Sequence, residues 1–116
     1  MKIKYLLTIL ALSIMMSCQA QTDFKSVDIK EFKIEIAKTD VQLVDVRTVK
    51  EYSEGHIPGA ILIPDYEIED RAETELIDKD QIILVYCRSG NRSKVASAAL
   101  AELGYTEVYE FGGIKD

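Results

Sequence analysis

The chain is poor in the residues that hold metals: among 116 residues it has one histidine, His56, and two cysteines, Cys18 and Cys87. These lie far apart and form no ligand spacing of the zinc type, so no metal site is expected. No glycine-rich nucleotide loop occurs either, and no cofactor is predicted. Positive charge is also scarce. Fourteen Lys and Arg face twenty Asp and Glu, and because Lys2 and Lys4 precede Cys18 the net charge from Cys18 onward is −8. That balance excludes the electrostatic footprint of a nucleic-acid binder. Internal repeats and low-complexity tracts are missing, which leaves one small domain of ordinary globular composition.

Nor is there an apolar run of the roughly 20 residues that a relaxed bilayer crossing needs. The run that does occur, Tyr5 to Met16 behind Lys2 and Lys4, has the length and basic start of a secretory signal peptide. We read residues 1–20 as that signal and 24–116 as the domain. Two processing routes fit. Met15-Met16-Ser17-Cys18 resembles a bacterial lipoprotein box, with Cys18 lipidated as the mature N-terminus, whereas Cys18-Gln19-Ala20 has the small-x-small form of ordinary cleavage. Lipidation is preferred because it gives Cys18 a role. The expected location is the bacterial cell envelope, either periplasmic or held to a membrane by a lipid anchor.

With Cys18 removed or acylated, Cys87 has no partner for an intramolecular disulfide and must persist as a free thiol. Its setting is unlike that of an inert core cysteine. Gln81 to Tyr86 is a continuous apolar run, as in a parallel strand covered on both faces, and Ser93 to Leu103 reads as an alanine-rich helix. Between them stands Cys87-Arg88-Ser89-Gly90-Asn91-Arg92-Ser93. Gly90 permits positive φ, so the loop can turn its N–H groups inward and form an anion cup at a helix N-terminus. A thiol of pKa about 8.5 is lowered by such a helix end and by adjacent cations, here Arg88 and Arg92. With Lys94 these form a local positive island that suits a small anionic substrate.

The remaining order is strand and helix in alternation. Asp28 to Glu31 has capping-box spacing ahead of a helix ending near Lys38; Val41 to Val46 is strand-like; Thr48 to Glu51 repeats the capping box before a short helix stopped by Gly55. A short strand from Ala60 to Ile63 follows. Tyr66 to Ile77 is an acidic helix whose buried stripe is Ile68, Ala72, Leu76 and Ile77. After the cysteine unit, Gly104 closes the helix and Thr106 to Tyr109 makes the last strand. The predicted fold class is α/β, a parallel sheet flanked by helices on both faces, with ligands bound beyond strand carboxyl ends, where Cys87 falls.

Four separated motifs now resemble, in order and spacing, the single-domain rhodaneses: Asp45-Val46-Arg47, Glu54-Gly55-His56-Ile57-Pro58-Gly59-Ala60, Cys87 to Ser93, and Gly104-Tyr105 to Gly112-Gly113. The resemblance covers nearly all of the chain after the signal. It implies a sulfurtransferase in which Cys87 takes a sulfane sulfur from thiosulfate or a persulfide donor and passes it to a thiol, to cyanide or to a sulfur-acceptor protein. Phosphatases similar to rhodaneses place five residues between cysteine and arginine, making room for phosphate. Here four separate Cys87 from Arg92.

The resemblance makes Cys87 the catalytic residue, with Arg88, Ser89, Gly90, Asn91, Arg92 and Ser93 as the substrate-binding loop. Arg47 is a further candidate at the same mouth, although pairing with Asp45 would make it structural, the favoured role. His56 is expected to brace its turn rather than act as a base, since low-pKa thiolates need none. Gly112-Gly113 are expected to shape a turn after the last strand. Related domains usually continue past this point with a tryptophan and another helix, so part of the sheet's usual cover is expected to be missing after Ile114-Lys115-Asp116. A non-catalytic persulfide carrier or partner-binding module is the alternative, and a thiol-disulfide redox role is disfavoured by the lack of a nearby resolving cysteine.

Overall fold

In a computed structural model, residues 23–114 apart from Thr39 are described. The expected signal segment, with Cys18, lies outside them. The order is β1 (Lys25–Ser26), α1 (Ile29–Ile36), β2 (Val41–Asp45), α2 (Val49–Glu54), β3 (Ile61–Leu62), a 3-10 turn (Asp65–Glu67) leading into α3 (Ile68–Glu75), β4 (Ile82–Cys87), α4 (Asn91–Glu102) and β5 (Glu107–Gly113). All strand pairs are parallel, in the order β1-β5-β4-β2-β3, so β4 is central.

Alternation along the strands divides the core between two faces. Val44, Val46, Ile83, Val85, Cys87 and Val108 point toward α3 and α4, where Ile68, Ala72, Leu76, Ala96 and Leu100 meet them. Leu43, Leu84 and Tyr86 point the other way, toward Phe32 of α1 and the half-buried Tyr52 of α2. This is the predicted α/β class with helices on both faces.

Local chemistry explains the helix starts. Asp28 accepts from the Glu31 N–H at 2.8 Å. At α2 both halves of the capping box form: Glu51 N–H donates to Thr48 Oγ1 at 3.2 Å, and Thr48 N–H donates to Glu51 Oε1 at 3.1 Å.

Three expectations change. Ile77 is 83% exposed and not part of the buried stripe, because α3 ends at Glu75 and the extended backbone at Leu76 swings the next side chain outward. α4 begins at Asn91 rather than Ser93, because the left-handed turn at Gly90 starts it directly. The last strand does not stop at Tyr109: it runs through Gly113 by way of a bulge, Val85 pairing with Glu110 and Cys87 with Gly113, so β5 holds one residue more than β4 over this stretch.

Candidate active site

Cys87 is the last residue of the central strand and is fully buried. The chain then turns through Gly90, whose φ of +103° directs its N–H at the Cys87 sulfur over 2.9 Å. Burial pushes the thiol up. The Ser93 hydroxyl and the N–H groups of Ser93, Gly90 and Ser89 outweigh it, and the thiol lies below its ordinary value.

The three arginines singled out at the site differ in placement, Arg92 feeling the charge of Cys87. Arg92 is engaged by Glu51 of α2, Nη1 to Oε1 at 2.7 Å and Nη2 to Oε2 at 3.0 Å. Arg47 is buried, donating to Asp45 at 2.7 to 3.0 Å and to the Gly55 carbonyl at 2.7 Å. Asp45 in turn accepts from the Tyr86 hydroxyl at 2.8 Å, and that hydroxyl accepts from Ile57 N–H at 3.1 Å. This buried network joins β2, β4 and the loop before β3, which makes Arg47 chiefly a bracket for the site wall. Arg88 alone of the three is exposed and, among the described residues, makes no side-chain hydrogen bond or ion pair. With Arg47, Glu51, Glu54, Gly55 and Ile114 it lines a cavity of about 360 Å³. Ser89 of the loop and Asn91, the first residue of α4, are also exposed.

His56 is exposed, stacks on Tyr52 with ring centroids 3.6 Å apart, and meets the Tyr52 carbonyl through Nδ1 at 2.9 Å. It braces a turn, as expected. Among the described residues no group of three or more His, Cys, Asp or Glu is gathered as for a metal ion.

Two residues at the site, Glu51 and Glu110, escape the sequence reading, and a third, Gly113, expected in a turn, lies inside β5. Glu51 reads from the sequence only as a cap, yet its Oε1, shared with Thr48, and its Oε2 both accept from Arg92 beyond β4. Gly113 does not adopt a positive φ; a Cβ there would stand 1.7 Å from the Arg88 carbonyl oxygen, so the loop backbone packs directly against it. Ile114 N–H then donates to the Cys87 carbonyl at 3.0 Å. Glu110 is 2% exposed, on the face that β5 shares with Val108. Its signal was the alternation itself, which puts an acid two residues after a core valine.

Comparison with known proteins agrees with this architecture. Residues 28–116 match the model of the rhodanese-like domain. The thiosulfate sulfurtransferase PspE of Escherichia coli is 42% identical over 73 residues, 63% of this chain and 70% of that protein. YrkF of Bacillus subtilis, described as a putative sulfur carrier protein, is 32% identical over 93 residues, 79% of this chain but only 49% of that longer protein. Among solved structures, an E. coli rhodanese with anions superposes with a TM-score of 0.61 at 36% identity, covering 66% of this chain and 91% of that one. The human single-domain sulfurtransferase TSTD1 gives 0.62 at 28% identity, covering 76% and 88%. The chain therefore belongs to the rhodanese-like domain family, as an enzyme of the rhodanese, sulfurtransferase type.

Proposed function

We propose that the chain moves sulfane sulfur from thiosulfate or a persulfide to a thiophilic acceptor through a Cys87 persulfide. One observation carries the reading: the Cys87 sulfur accepts from Gly90 N–H at 2.9 Å inside a loop whose backbone donors also include Ser89 and Ser93. Such a cup stabilises a thiolate and, after reaction, the terminal persulfide sulfur. With only four residues between Cys87 and Arg92 it suits one added sulfur atom.

The Cys87 thiolate attacks the outer sulfur of thiosulfate; the new S–S bond forms as the old one breaks, and sulfite leaves with the electron pair. Cyanide or an acceptor thiolate then attacks the outer persulfide sulfur and Cys87 thiolate returns. Arg88 is the cation available to draw the anionic donor in, while Arg92 and Arg47 hold the walls. The basic-apolar N-terminal segment and Cys18 support an envelope location, lipid-anchored or periplasmic. The test is thiocyanate formation from thiosulfate and cyanide by a protein starting at Gln19, beside Cys87→Ser. Turnover that the variant loses supports the reading; no turnover with any donor, and no added sulfur on Cys87 by mass spectrometry, overturns it. The relation to YrkF favours one second reading, a partner-dependent carrier, for which a single sulfur would load without steady turnover.

A further inference from the structure

Four charged side chains line the cavity of about 360 Å³ at the cysteine loop, and two of them are already paired: Arg47 with Asp45, and Glu51 with Arg92. Arg88 and Glu54 remain. Both are exposed, and among the described residues neither makes an ion pair; Lys50, one turn before Glu54 on α2, does not reach it. The cavity is tied to the nucleophile at three points. Arg88 follows Cys87 in the chain, Ile114 N–H donates to the Cys87 carbonyl at 3.0 Å, and Glu51 holds Arg92 at the loop's far end. Glu54 stands where its helix gains nothing from it. It is the last residue of α2, whose last turn holds no basic residue, and a carboxylate at the carbonyl end of a helix is disfavoured by the helix dipole. Arg47 holds the next carbonyl, that of Gly55, at 2.7 Å, which keeps the acid on the cavity wall.

We propose that Glu54 is a specificity-determining residue for the sulfur acceptor, favouring a small thiol that carries an ammonium group over an anionic one. Arg88 draws the anionic donor in, and Glu54 adds a free charge of opposite sign at the same mouth. An aminothiol entering there sets its ammonium at Glu54 while its thiolate attacks the outer sulfur of the Cys87 persulfide. The new S–S bond forms as the bond to Cys87 breaks, and Cys87 leaves as the thiolate; the ammonium takes no part in the bond change. An acceptor with a carboxylate in place of the ammonium meets Glu54 as a like charge. The other ionic groups near the loop do not cancel this effect: Lys94 reaches over Gly90, Asp65 acts on Arg92, and Glu110 accepts from the Ser93 hydroxyl at 2.8 Å, but none of them lines the cavity.

The inference rests on the Cys87 persulfide of the proposed function, so one of its two readouts needs no persulfide. In the protein starting at Gln19, at pH 7, the first is the rate at which methanethiosulfonates bearing a trimethylammonium or a sulfonate group modify Cys87. The second is the rate at which cysteamine or mercaptoacetate removes sulfur from the persulfidated protein. Each is expressed as a ratio of cation to anion and compared with the parent, which cancels the intrinsic reactivity of the reagents. Glu54→Gln should lower both ratios about two- to fivefold, and Glu54→Lys should lower them further. Glu102→Gln removes the same charge at the far end of α4, roughly 16 Å along the helix from its start, and should leave both unchanged. Unchanged ratios in Glu54→Gln overturn the proposal, as does an equal fall in Glu102→Gln, which would mark bulk charge alone. Glu54→Gln should melt no lower than the parent; a fall in the ratios accompanied by a lower melting temperature would be a structural effect and overturns the proposal too. No sulfur uptake by Cys87 from any donor, with the first ratio shifted, would strike the persulfide reading; uptake with both ratios unshifted would strike the role of Glu54 alone.

Discussion

Glu51 and Arg92, 41 positions apart, are joined by two charge-assisted hydrogen bonds of 2.7 and 3.0 Å, so the arginine closing the cysteine loop is clamped to the helix opposite. Their side chains are 20% and 30% exposed, dry enough for the bond to matter and wet enough to blunt it. The clamp fixes the loop's far end while its near end is fixed by β4.

That clamp has a pH signature. The Arg92 hydrogen bonds, against some burial, hold the Glu51 carboxyl at about 2. A folded value below the unfolded one, about 4.3, contributes stability that is complete above that pH and is lost as pH falls toward the folded value. Glu51→Gln should cost about 1 to 2 kcal/mol at pH 7 after solvent screening. Thermal melts between pH 7 and pH 2 should show the parent losing its advantage over the variant across the lower part of that range; parallel curves would contradict the clamp.

Gly113→Ala should be among the most damaging single-methyl additions in the domain. The methyl meets backbone, the Arg88 carbonyl, which cannot rotate out of the way. A cost of about 3 kcal/mol or more is expected, with the cysteine loop displaced. Urea denaturation together with Cys87 alkylation reads both effects, and a variant with parent-like values in each would refute the close packing.

Asp45→Asn should cost about 3 to 5 kcal/mol, because it strands the Arg47 guanidinium, 8% exposed, without a counter-charge. Tyr86→Phe removes one hydroxyl from the same network and should cost about 1 to 3 kcal/mol. The order of the two, read from urea midpoints, checks whether charge or hydrogen bonding dominates there.

Arg88→Ala should act on the donor rather than the fold. Losing one charge-assisted contact to an anionic sulfur donor is expected to raise KM about tenfold, with unfolding unchanged. Steady-state kinetics with thiosulfate decide this; an unaltered KM would move donor recognition to the backbone cup alone.

The contrast among these residues explains what could be read in advance. The β4–loop–α4 unit was legible because its signals are contiguous: an apolar run, a glycine that turns, a helix rich in alanine. Thr48 and Glu51 were legible as a cap for the same reason. Glu51 to Arg92, Glu110 to Ser93 and Gly113 to Arg88 were not, since each joins residues that only the sheet order brings together. The extent of β5 was missed because a bulge carries Gly112 and Gly113 inside a strand, where sequence pattern reads a pair of glycines as a turn.

Cys87 hangs from the end of the middle strand of the sheet, a strand bonded on one side to β2 and on the other to β5. Fraying at the outer strands β1 and β3, two residues each, does not reach it. Amide exchange at Val85 and Tyr86 should therefore run at the rate of global opening, and reactivity of the cup should disappear with the cooperative unit rather than before it. Opening of the sheet edges alone is therefore expected to leave the Cys87 cup closed.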